Sequence, residues 1–123
     1  MTQTTQSASL DDRQHKPRKT KIHSILGDPE HRIILRVLAD ADGSVSLKEL
    51  TRATLRDQEY DADVSVSILE GLMLDIYLPV LDSTGAIETD AGYNRIGPGE
   101  HHEAYLQMAE AVDEVYEQHF GGI

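Results

Sequence analysis

The tetrapeptide Ser46-Leu47-Lys48-Glu49 fixes one helix start and thereby frames the elements on either side of it. A serine followed three residues later by a glutamate makes a capping box. The hydroxyl accepts from the third helical N–H, and the carboxylate accepts from the serine N–H. The box predicts a helix to about Asp57, with Leu47, Leu50 and Ala53/Thr54 inward and Lys48, Arg52 and Arg56 outward. Upstream, Asp28 is placed to cap another helix, Pro29 occupies its first position and Glu30 suits its positive end. Ile33/Ile34, Val37/Leu38 and Ala41 form the apolar face of that helix, and Gly43 ends it. Ser44-Val45-Ser46 between the two helices reads as a very short strand.

Downstream, Ile68/Leu69, Leu72/Met73, Ile76 and Val80 recur at helical spacing, which predicts a helix over about residues 64–83. Asp63 is a candidate cap, Gly85 fits a left-handed end, and Pro79 should kink the last turn because its ring clashes with the carbonyl four residues back. Residues 86–97 read as a hairpin turning at Asp90-Ala91-Gly92, with Ile87 and Ile96 inward. A long helix follows Pro98-Gly99. Tyr105, Met108, Val112, Val115 and His119, flanked by Leu106, Ala109, Tyr116 and Phe120, give it a broad apolar face.

These elements make a mainly α chain with a small β-hairpin, in the order of a winged helix-turn-helix with an added terminal helix. Three segments follow: a flexible basic arm over residues 1–21, a winged domain over 22–99 and a terminal helical segment over 100–123. At 123 residues the length suits one modest core. The chain lacks cysteine, which excludes disulfides, thiolate zinc sites and thiol redox chemistry within it. Without an apolar run long enough for a membrane helix or a signal-like start, a cytoplasmic location is the default expectation.

Charge is unevenly distributed. Residues 1–21 carry five cations (Arg13, Lys16, Arg18, Lys19, Lys21) against Asp11 and Asp12, or +3, leaving −14 for the rest of a chain whose net charge is −11. Such a body repels nucleic acid at low salt. Abundant acids, few aromatics and a single lysine after position 21 point to a proteome adapted to very high salt.

The residues 28–50, DPEHRIILRVLADADGSVSLKEL, followed by the residues 75–88, DIYLPVLDSTGAIE, resemble the winged-helix regulators of halophilic archaea. The Leu78-Pro79-x-Leu81-x-x-x-Gly85 piece is the most specific part of a match covering roughly residues 24–97. The terminal helix is similar to the dimerisation helix of PadR-type regulators. The histidines that the family often carries near Asp75 and Tyr77 are missing here. The resemblance implies a homodimeric transcription factor of the oxidative-stress response. Without cysteine, an oxidant would have to act through methionine, a ligand or an upstream event.

The candidate DNA-binding set follows from charge, size and position. Lys16, Arg18, Lys19 and Lys21 lie in the arm, and Lys48, Arg52 and Arg56 lie on the outward face of the second helix, where they either hold phosphates or face solvent. Ser65, Ser67 and Gly71 are small enough for close approach to a major groove, and for the serines N-terminal capping is the equal alternative. Asn94 and Arg95 at the hairpin could reach a minor groove. The candidate dimer interface is Tyr105, Met108, Ala109, Val112, Val115, Tyr116 and His119. Double-stranded DNA and a second copy of the chain are the expected partners, and the effector is left open. Neither a cofactor nor a metal site is expected, because His101-His102 point about 100° apart on a helix. Neither a nucleophile constellation nor a phosphate-cradling loop is present, so an enzyme is not expected. The competing reading is a winged protein-interaction module whose acidic surface meets a basic partner.

Overall fold

The computed structural model describes residues 16–122. Residues 1–15 of the anticipated arm lie outside the described residues, and the end of that arm is helical: α1 spans Lys19–Leu26. Ile22 and Ile25 supply the apolar side that lays it on its neighbours, so residues 19–21 belong to a helix and not to a free tail.

Helix α2 (Pro29–Asp40) begins where its signals place it, with the Asp28 carboxylate accepting from the Glu30 N–H at 3.1 Å. Helix α3 (Leu47–Arg56) opens on the complete capping box, Ser46 Oγ accepting from Glu49 N and Glu49 Oε1 accepting from Ser46 N. Those bonds to the Ser46 backbone and hydroxyl hold the Glu49 carboxyl below the ordinary range. The next helix is capped by Ser65, whose hydroxyl accepts from Ile68 N at 3.1 Å, and not by Asp63. Serine fits because the chain turns helical at Val66, one residue past it.

That helix departs from one continuous kinked rod. α4 (Val66–Leu72) passes into a π-helical turn (Met73–Tyr77) and then α5 (Leu78–Ser83). The Leu78 N–H reaches the Met73 carbonyl, five residues back. The inserted residue carries the inward line from Leu69 and Met73 on to Leu78 and Leu81, which are all buried, and leaves Ile76 exposed. The wider turn also ends just before Pro79, whose ring would crowd the Asp75 carbonyl in a regular α-helix. Gly85, at φ +79°, closes α5 in the left-handed form, and Ala86 N bonds back to the Leu81 carbonyl.

Strands β1 (Ile87–Thr89) and β2 (Ile96–Pro98) pair antiparallel with Glu88 opposite Gly97, and Val45 makes an isolated bridge to Ile96. Gly92 at φ +84° and Tyr93 at φ +60° carry the turn, and the Asp90 carboxylate accepts from the N–H groups of Asn94 and Arg95. Helix α6 (His102–Phe120) completes the fold. His102 Nε2 donates to the Leu35 carbonyl at 2.9 Å, fixing the first turn of α6 to α2.

Helix α2 is the hub, touching α1, α3, α6 and β2. Its Ile34, Leu35 and Leu38 share one core with Ile25, Leu50, Leu69, Met73, Leu78, Leu81, Ile87, Ile96 and Tyr105. The architecture is mainly helical with a two-stranded antiparallel sheet. Among the described residues no helix is long and apolar enough to cross a membrane.

Candidate nucleic-acid interface

Helices α3 and α4 pack side by side, α3 carrying the exposed cations picked from the sequence and α4 the small residues. Lys48, Arg52 and Arg56 are exposed along α3. Lys48 Nζ lies 3.8 Å from Glu70 Oε2 of α4, so this lysine bridges the two helices while staying open to solvent. Arg52 and Arg56 border a shallow groove of about 500 Å³ floored by Val37, Val45 and Ala53, with Asp40 and Glu49 on its rim.

The outer face of α4 and the wide turn after it is made of Ser67, Ile68, Gly71, Leu74 and Asp75, all exposed. Ser65 divides from Ser67 in role: its hydroxyl serves the helix cap, leaving Ser67 as the outward hydroxyl of this turn. A Cβ added at Gly71 would meet nothing within 4 Å, so the fold itself has no need of glycine there.

The connector between α3 and α4 is held by a network that escaped the sequence reading. Arg32 Nη2 reaches Glu59 Oε2 at 2.6 Å, and Arg36 Nη2 reaches Glu59 Oε1 at 2.9 Å and Asp57 Oδ1 at 3.1 Å. Arg32 Nη1 also donates to the Leu26 carbonyl. The hydrogen bond from Arg32 holds the Glu59 carboxyl below its ordinary range, against partial burial and with help from Arg36. Arg32 and Arg36 one turn apart, and an acidic run at residues 57–63, were the available signals. The clamp ties the start of the connector to α2.

At the hairpin, Arg95 is exposed and also bonded within the fold. Arg95 Nε donates to Ser44 Oγ at 3.1 Å and Nη2 donates to the Ser44 carbonyl at 2.6 Å. The Val45–Ile96 bridge brings β2 against the loop before α3, and the exposed Arg95 guanidinium helps to fasten the two. Asn94 stays exposed at the turn.

Lys16, Arg18 and Lys19 sit elsewhere. With Pro17, Ile22, His101, Ala104, Tyr105 and Met108 they line an apolar-floored groove of about 550 Å³ between α1 and α6. Lys21 is exposed on α1. The described end of the arm thus rests against α6.

Helix α6 divides in two. Tyr105 and Ala109, expected at a dimer interface, are 1% and 6% exposed within the single chain, because α1 and α2 pack on the helix and the Tyr105 hydroxyl donates to the Thr84 carbonyl. Met108 is half-buried at the groove. Every described residue from Glu110 onward is exposed, including Val112, Val115, Tyr116, His119 and Phe120. Tyr116 and Phe120 touch each other, with ring centroids 5.2 Å apart. Phe120 belongs to this strip and was absent from the interface set drawn from sequence.

Among the described residues no group of three or more His, Cys, Asp or Glu side chains is arranged to hold a metal ion. Comparison with protein families, curated proteins and solved structures gave no match.

Proposed function

We propose that this chain is a homodimeric, sequence-specific DNA-binding transcriptional regulator of a high-salt cell, built as a winged helix-turn-helix in which α4 enters the major groove. The observation that carries the reading is the outer face of α4: Ser67 and Gly71 stand outward, and α3, packed against this helix, carries the exposed cations Lys48, Arg52 and Arg56, of which Lys48 reaches Glu70 of α4 at 3.8 Å. A recognition helix needs a narrow, approachable front with cations alongside it to meet phosphates, and this surface supplies both. The hairpin, fastened by Arg95 to Ser44, forms the wing beside it.

The acidic body fits the proposed setting. Counterion release contributes little at molar salt, so binding there depends on shape, water-mediated contacts and base edges. The exposed second half of α6 supplies the dimer contact, since an apolar strip along about three turns is otherwise left in water. A two-fold axis would lay Val112, Val115, Tyr116 and Phe120 of one copy toward the α1–α6 groove of the other.

Titration against genomic fragments in KCl from about 0.1 M to several molar tests the proposal. Selective binding that survives molar salt supports it, and absence of duplex binding at every salt concentration favours the protein-interaction module. That rival draws on one observation, the exposed Leu74 and Ile76 on a segment without any cation.

A further inference from the structure

Residues 65–87 contain no lysine, arginine or histidine, so nothing on α4 can make the bidentate cation contact to guanine that most often specifies a base. Its hydroxyls are few: Ser65 is engaged in the cap, and Ser67 alone points outward in the first turn. Beside Ser67 stands Ile68, which is 57% exposed although it sits in the turn whose Leu69 is fully buried. Gly71 follows one turn later on the same side, and nothing near it would obstruct a close approach. An isoleucine at the open N-terminal end of such a helix occupies the place where base edges are met.

Resting on the reading of α4 as a recognition helix, we infer that Ile68 is a specificity residue that reads the C5-methyl groups of thymine in the major groove. The methyl group is the one apolar feature on the major-groove edges, and it marks A·T pairs in either orientation. A branched aliphatic side chain packs on it without any hydrogen-bond partner. Gly71 lets the helix sink far enough for that contact, and the exposed cations of the adjacent α3 meet the phosphates. Apolar packing is not screened by ions, so this readout keeps its strength in the salt that disables phosphate steering.

The test uses the full-length chain at molar KCl. A tight-binding duplex is selected from a random-sequence pool and then synthesised with each thymine replaced in turn by uracil, which lacks only the methyl group. Competition titrations compare the intact chain with Ile68→Ser and Ile68→Val. The expected result is a loss of about fourfold in affinity at one or more specific positions for each methyl removed. The loss should be absent in Ile68→Ser and largely kept in Ile68→Val. Equal affinity for thymine and uracil duplexes at every position overturns the inference while leaving DNA binding intact. So does a thymine preference that persists in Ile68→Ser, which would then come from duplex shape. Failure to select any duplex overturns the recognition-helix reading itself, and the inference with it.

Discussion

The backbone N–H of Leu78 bonds to the carbonyl of Met73, five residues back, and that single wide turn decides which side chains of the segment face the core. Leu78 and Leu81 are buried because of it, and Ile76 is about half exposed. Pro79→Ala restores an N–H that could continue a regular helix. One hydrogen bond contributes about 0.5–1.5 kcal/mol, whereas taking Leu78 out of the core loses about 1.5–3 kcal/mol. The wide turn should therefore survive, with urea-unfolding stability changed by less than about 1 kcal/mol. Leu78→Ala should instead destabilise by about 2–5 kcal/mol.

The two halves of α6 predict opposite outcomes for similar substitutions. Val112→Glu and Tyr116→Glu alter side chains exposed in the single chain and should convert a dimer to a folded monomer, read as halved mass in light scattering with unchanged circular dichroism. Tyr105→Ala empties a fully buried site and should lower stability by about 3–5 kcal/mol. A monomeric intact chain at high salt would remove the dimer from the account.

His31 gives the fold a pH dependence of known sign. It is buried, its Nδ1 donates to the Ile25 carbonyl at 3.3 Å, and its ring meets the Tyr77 ring edge-on at 5.5 Å. Burial lowers its pKa from the ordinary 6.5, opposed by Asp28 and the Ile25 carbonyl. A depressed histidine pKa means that the unfolded chain binds the proton first. Stability is thus full above the ordinary value and falls as pH drops from about 6.5 toward the folded pKa. Urea-unfolding midpoints should decline over that window in the intact chain, and His31→Phe should flatten the slope.

The ion-pair clamp should matter to position more than to stability. Arg36 and Glu59 are both over a third exposed at the side chain, so Glu59→Gln should cost less than about 1 kcal/mol, and less again at high salt. The readout is hydrogen exchange of residues 57–65, which should quicken in Glu59→Gln while exchange in α2 stays unchanged.

What could be read from the sequence was local. Ser46 and Glu49, Asp28 with Pro29, Gly85 and the Asp90 turn each declare themselves through bonds spanning a few residues. The wide turn was hidden because Leu72/Met73, Ile76 and Val80 fit a regular helix, and only the shape of the core selects Leu78. Adjacent pairs conceal direction too: Ile68 and Leu69 differ by about 100°, so one of them must face out. The clamp joins residues 27 positions apart at its widest, beyond any local pattern. Tyr105 and Val112 belong to one apolar stripe, and only the point where α6 leaves the body separates core from surface.

The approach of α4 to a duplex is tested most directly at Gly71, where an added Cβ meets nothing within 4 Å. Gly71→Ala should stabilise the chain by about 0.5–1 kcal/mol, because glycine weakens a helix. Gly71→Leu should stay folded and dimeric. Competition titrations at molar KCl on a selected duplex and its scrambled counterpart then decide. The account predicts that Gly71→Leu loses about tenfold or more on the selected duplex and little on the scrambled one, the size of one lost base contact. Undiminished selective binding by a folded Gly71→Leu chain would contradict it.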